Sequence, residues 1–234
     1  MERDISVGNI LGETGTLISE TARETLFYLA VIGVLGAAGV WLGWTEVAVS
    51  SVGFGFGASF DRGMTSGLYE LAASIVSIVA NYLLLRRYLA ARGRLHEGGE
   101  RFWAYLGMLI LSTIGLVIGF LLLIVPGFIL LVRWSAASGF LIGSRSGIVD
   151  SLRASWDATS GHGWAIFLAG LVLVIGLGIV GGIAGASLSL AGPELLGTAT
   201  SLANALNNVV FLAFGIAIYS LVHDDGREFE DVFA

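Results

Sequence analysis

The chain contains no cysteine and no lysine, has only two prolines, and charges only 13% of its 234 residues. Without cysteine there can be no disulfide, thiolate metal site or cysteine nucleophile. A soluble domain carries about 25% charged residues, so charge is too sparse here to clothe a water-exposed surface. The net charge of −6, with arginine as the only basic residue besides three histidines, argues against a nucleic-acid-binding face. A basic opening followed by a short apolar stretch is also missing. Glu2, Asp4, Glu13, Glu20 and Glu24 all precede the first long apolar run, so no cleavable signal is expected.

What the chain has in excess is apolar side chain and glycine: 56% hydrophobic residues and 34 glycines. A water-soluble globule of this length could not bury that much hydrocarbon. The expectation is an all-α, polytopic membrane helix bundle of about six transmembrane helices with interfacial amphipathic helices. A helix needs about 20 mostly apolar residues to cross a bilayer. The runs that qualify are 25–45, 67–89, 102–124, 127–143, 164–187 and 199–222. The middle two come from one apolar stretch, 102–143, divided at Pro126-Gly127, the strongest turn signal in it. One span followed by a re-entrant segment is the competing reading of that stretch. Residues 1–24 form an N-terminal segment, 25–222 a single six-span domain, and 223–234 an acidic tail.

The arginines set the orientation. With the N-terminus in the cytoplasm, Arg3, Arg23, Arg86, Arg87, Arg92, Arg94, Arg101, Arg145, Arg153 and Arg227 fall on one side, and Arg62 alone on the other. Both termini are therefore expected to be cytoplasmic. Residues 5–23 set Ile5, Ile10, Leu11, Leu17 and Ile18 among polar neighbours, which suits an interfacial helix. Within 147–160, Ile148, Leu152, Ser155, Trp156 and Thr159 share one stripe, with Asp150, Arg153 and Asp157 opposite. This reads as a second interfacial helix. The loop Glu46–Ser66, with Gly53-Phe54-Gly55-Phe56-Gly57, follows a span and not the strand that a phosphate-binding loop requires, and reads as a flexible connection whose Phe rings dip into the interface.

Chemistry is sparse. His96, His162 and His223 lie in three different settings, and no spacing puts two metal ligands on one helix face. No Ser-His pair or paired aspartates stand at bilayer depth, so no catalytic residue, metal or cofactor is expected. Polar residues inside the spans are the stronger lead. Arg133 lies about six residues, or roughly 9 Å, into the fourth span, and Glu70 about three residues into the second. A charge at such depth costs about 2.5–3.5 kcal/mol and calls for a partner. Asn204, Asn207 and Asn208 lie in the outer half of the sixth span. Glu70, Arg133, Asn204, Asn207 and Asn208 thus form a candidate intramembrane polar cluster, either a solute path or a helix–helix contact. Gly39/Gly43, Gly115/Gly119, Gly178/Gly182 and Gly181/Gly185 are spaced for close helix approach, within one bundle or between subunits.

One stretch carries a family likeness. Leu122-Leu123-Ile124-Val125-Pro126-Gly127 followed by Arg133-Trp134, and then Leu152-Arg153-Ala154-Ser155-Trp156-Asp157-Ala158-Thr159-Ser160-Gly161, resembles the motifs of the glycerophosphoryl diester phosphodiesterase membrane domain and YciC-like bacterial inner-membrane proteins. The opening Ile5-Ser6-Val7-Gly8-Asn9-Ile10-Leu11 is similar to the amphipathic start of that group. The matching positions are Pro126, Gly127, Arg133, Leu152, Ser155, Trp156, Thr159 and Gly161. Gly143-Ser144-Arg145-Ser146 departs from it where an acidic residue is usual, and Ser151 stands where alanine is usual. The resemblance implies a multi-span protein of the bacterial inner membrane, equivalent to the membrane unit without the catalytic domain fused to it elsewhere. The expected role is that of an accessory, scaffold or lipid-environment component, with membrane lipids and a second copy or another membrane protein as partners and no nucleic acid. A small transporter or channel using the polar cluster is the alternative, and a lipid-handling enzyme a weaker one.

Overall fold

A computed structural model describes residues 5–45, 63–95, 100–188, 190 and 192–233, with 224–233 by backbone alone. Every regular element among the described residues is a helix: α1 (Val7–Glu20), α2 (Ala22–Trp41), α3 (Met64–Ala91), α4 (Phe102–Leu122), α5 (Ile124–Arg133), α6 (Ala137–Ile142), α7 (Ile148–Ala158), α8 (Gly163–Leu188) and α9 (Pro193–Phe233). Among the described residues, six stretches are long and apolar enough to cross a membrane: Ala22–Trp41, Met64–Ala91, Phe102–Leu122, Ile124–Ile142, Gly163–Leu188 and Pro193–His223. Most of the Glu46–Ser66 loop and His96 lie outside the described residues.

Local chemistry explains where the helices stop. Ser6 caps α1 by accepting the Asn9 N–H at 3.3 Å. After α2 and α3 the chain turns on Gly43 (φ 68°) and Gly93 (φ 63°), a left-handed conformation that favours glycine. Behind each glycine a 6→1 bond closes the helix, Trp44 N–H to Gly39 O at 2.9 Å and Arg94 N–H to Leu89 O at 2.9 Å. The break after α4 falls at Leu123, extended at φ −162° and ψ 143°, three residues before the turn expected at Pro126-Gly127. Pro126 sits instead in the first turn of α5, where its missing N–H has no intrahelical bond to lose.

The chain divides into two compact units. The first comprises the described residues of Met1–Thr21, Leu85–Val172 and Phe211–Ala234, and the second Ala22–Leu84 with Leu173–Val210. In the first unit, the middle of α9 is the core: Leu212, Ala213, Ile216, Ala217, Ile218, Tyr219 and Leu221 are all buried. Ile10 and Leu17 of α1, Leu85, Tyr88 and Leu89 of α3, Tyr105 of α4 and Leu141 of α6 are buried in the same unit. Arg92, beyond the end of α3, holds α1 through Glu13 at 2.6 Å and through Glu20. In the second unit, α2 meets α9 where Gly33 faces Leu202 and Gly36 faces Ser201. The buried Tyr28 hydroxyl donates to Asn81 Oδ1 of α3 at 2.6 Å. The burial of Tyr28 and Asn81 makes this bond costly to lose, because either group alone would be an unsatisfied polar atom in an apolar setting.

Candidate functional site on the α4–α7 face

The site forms around an interruption in one helix. Between α5 and α6 the backbone tightens: Ala137 N–H bonds Trp134 O at 3.1 Å and Gly139 N–H bonds Ala136 O at 3.0 Å, both three residues back. A regular α-helix would have paired Ala137 N–H with Arg133 O. That carbonyl is taken up from α7 instead, where Ser155 Oγ–H donates to it at 2.7 Å; the Thr159 hydroxyl, 3.5 Å from the same carbonyl, donates to Ser155 O at 2.8 Å. Ser155 and Thr159 are fully buried. The Arg133 guanidinium lies over the Trp156 ring, 5.4 Å from its centroid, and donates to Trp156 O at 3.5 Å. A cation over an indole face is attracted by about 0.5–2 kcal/mol, more where water is excluded.

Glycines let the neighbouring elements close up on this junction. Trp134 seats its ring on Gly115 of α4, where a Cβ would come within 2.5 Å of it. Further along, a Cβ on Gly119 would stand 3.2 Å from Gly127 Cα, so the two backbones of the α4–α5 hairpin are in contact. Ile148 of α7 rests on Gly107. Between α4 and α7 an open groove of about 540 Å³ remains, its walls almost wholly apolar, with Leu111, Ile114 and Ile118 on one side and Leu152 and Trp156 on the other. Arg153 and Asp157, one helical turn apart on α7, line the same groove.

The motif residues singled out in the sequence meet here. Arg133 is joined to Ser155, Trp156 and Thr159, Leu152 lines the groove, and Gly127 packs on α4. Pro126 opens α5 as described, and Gly161 (φ 87°) turns the chain between α7 and α8. Of the polar cluster, Arg133 belongs to the first unit, and half-buried Glu70, Asn204, Asn207 and Asn208 belong to the second. The groove includes none of those four.

Three features escaped the sequence reading. The Tyr28–Asn81 bond had a legible signal, a lone amide in the middle of an apolar run. Arg92 with Glu13 and Glu20 had none, because the partners are more than 70 residues apart. The third is a cradle for Tyr219, whose ring lies on Gly139 and Gly143 and whose hydroxyl is 2.9 Å from Ser144 Oγ. Among the described residues, no three His, Asp or Glu side chains are grouped to hold a metal ion. Comparison with protein-family models, curated proteins and solved structures finds no match to this chain.

Proposed function

We propose that this is a non-catalytic component of a bacterial inner membrane, with both termini in the cytoplasm, that works by presenting helix surfaces to lipid and to another membrane-embedded helix. The observation that carries this reading is the outer part of α8. Ile175, Ile179, Val180 and Ile183 are exposed, and at Gly178, Gly181, Gly182 and Gly185 no described atom comes within 4 Å of where a Cβ would stand. Glycines spaced by four allow a helix to approach closely in lipid, where packing rather than water exclusion drives association. Within the α4–α5 hairpin such glycines are filled, Gly115 by Trp134 and Gly119 by Gly127. The likeness of 122–164 to the membrane unit of a bacterial group whose catalysis resides in a separate domain supports the same reading.

Because the chain has no native cysteine, single cysteines introduced along α8 report its neighbours cleanly. In native membranes, Gly182→Cys and Gly178→Cys should give one discrete oxidative or short-bridged cross-link each, to a second copy or to one other membrane protein. Cysteine at Val172, on the same helix, should not. Adding Gly181→Leu and Gly185→Leu should reduce the cross-link at least fivefold. Absence of a discrete adduct from every α8 position would refute the partner-binding role.

A further inference from the structure

We infer that the α4–α7 groove is a phospholipid site: one acyl chain lies along α4, the phosphodiester meets Arg153, and a hydrogen-bond-donating headgroup meets Asp157. This rests on the chain being embedded in lipid, and does not depend on α8 having a partner. The groove has the size of a ligand site, about 540 Å³ against roughly 300–1,000 Å³ for small-molecule pockets. Its walls are the exposed side chains of a helix apolar enough to cross a membrane, with Ile114 about half exposed and Ile118 alike. An open trough of that kind in a bilayer is filled by hydrocarbon.

The charges narrow the occupant. Arg153 and Asp157 are both exposed and both line the groove, and neither forms an ion pair with another of the described residues. A guanidinium beside an acyl-sized trough matches a phosphodiester, which it can grip through two parallel N–H bonds. Trp156 stands at the same edge with the Arg133 cation on its ring, and tryptophan is a residue of the headgroup level in membranes. An ionised carboxylate only accepts hydrogen bonds, so Asp157 next to a bare phosphate would repel it. The pair of charges fits a headgroup that carries its own donor beyond the phosphate: a glycerol hydroxyl or an ethanolamine ammonium, and not a choline, which has no N–H or O–H.

Native mass spectrometry of the full chain in detergent, titrated with phosphatidylglycerol, phosphatidylethanolamine and phosphatidylcholine of identical acyl chains, tests this directly. The glycerol and ethanolamine lipids should each be retained at least about fivefold better than the choline lipid, and either order between those two supports the site. Arg153→Gln should lower retention of both by about fivefold, one basic residue's share of attraction to a phosphate-bearing surface. Asp157→Asn should narrow their advantage over the choline lipid, and Ile114→Trp, which fills the trough, should reduce all three. Arg153 and Asp157 are surface residues, so these variants keep the fold, and the comparison of lipids on the unaltered chain needs no variant. Equal retention of the three lipids, or retention indifferent to Arg153→Gln, would mean ordinary boundary lipid and overturn the proposal. Replacing the α8 glycines should leave the lipid preference unchanged, so the two readings fail separately.

Discussion

Gly139→Leu should abolish folding of the first unit, and Gly139→Ala should destabilise it by about 3 kcal/mol or more. A Cβ at this position would meet Tyr219 Cγ well inside contact distance and stand 2.5 Å from Tyr219 Cβ. The ring cannot move away. It is 1% exposed, edge-on to Phe140 at 5.0 Å, stacked on His223 at 5.3 Å, and covered by the Arg94 guanidinium at 5.6 Å. Overpacking a settled core by one methyl group costs about 1–3 kcal/mol. Here the obstruction sits at the base of the ring, next to the α9 backbone, so the upper end of that range is the floor. A leucine would add three more carbons at the same place, against a total stability of only about 5–15 kcal/mol. The comparison position is Gly178, which has open space around it; alanine there should leave stability unchanged or raise it by up to about 1 kcal/mol, alanine being the better helix former. Thermal unfolding in detergent, followed by size-exclusion profile, reads both.

Ser155→Ala should cost about 1–3 kcal/mol, the penalty for leaving a buried carbonyl unsatisfied. The Arg133 carbonyl is passed over by its own helix and accepts from Ser155 at 2.7 Å, with Thr159 too distant at 3.5 Å to replace it fully. Thr159→Val alone should therefore cost less, because Ser155 remains. The double variant should exceed the sum of the two only if, once Ser155 is truncated, the Thr159 hydroxyl leaves Ser155 O, to which it donates at 2.8 Å, for the Arg133 carbonyl. Ser155→Thr, which retains a donor, should recover part of the loss if the extra methyl fits. A denaturant series on the four proteins gives the coupling. Additive losses would show that Thr159 stays on Ser155 O and does not take over the carbonyl.

The spans were legible because hydropathy reports where a helix can meet hydrocarbon, and that signal is strong from 102 to 142 and from 163 to 188. Helix ends follow different physics. The last helix was expected from Ala199, but begins at Pro193, whose fixed φ suits a first turn, with Glu194 beside it at the positive end of the helix dipole. Neither residue is apolar, so neither extends a hydropathy run. The same helix continues beyond Val222 through the acidic tail to Phe233.

The glycine pairs show a second limit. The spacing at 115/119, 139/143 and 178/182 is identical in sequence, yet Gly115 receives an indole, Gly119 a backbone, Gly139 a phenol ring, and Gly178 no described atom. Spacing states that something can approach closely, without stating what. Arg133 illustrates the same point for charge. Its depth in an apolar run predicts a partner without naming it. The structure places Trp156 under its guanidinium and Ser155 on its carbonyl. Those contacts depend on how α7 folds back onto α5, and that path is set by packing over the whole unit. The motif stretch 122–161 was legible as a set of residues, and its meaning as a helix break stitched by the Ser155 hydroxyl was not.

Everything rests on lipid being the medium around these helices, and on Leu121, Leu122, Leu123, Ile124 and Val125, each at least 67% exposed, facing hydrocarbon. Extraction of native membranes at alkaline pH, followed by sedimentation, is the most direct test. The account predicts that the whole chain stays with the membrane pellet and is released as a monodisperse species only by detergent. Recovery of a folded, monodisperse chain in the detergent-free supernatant would contradict it.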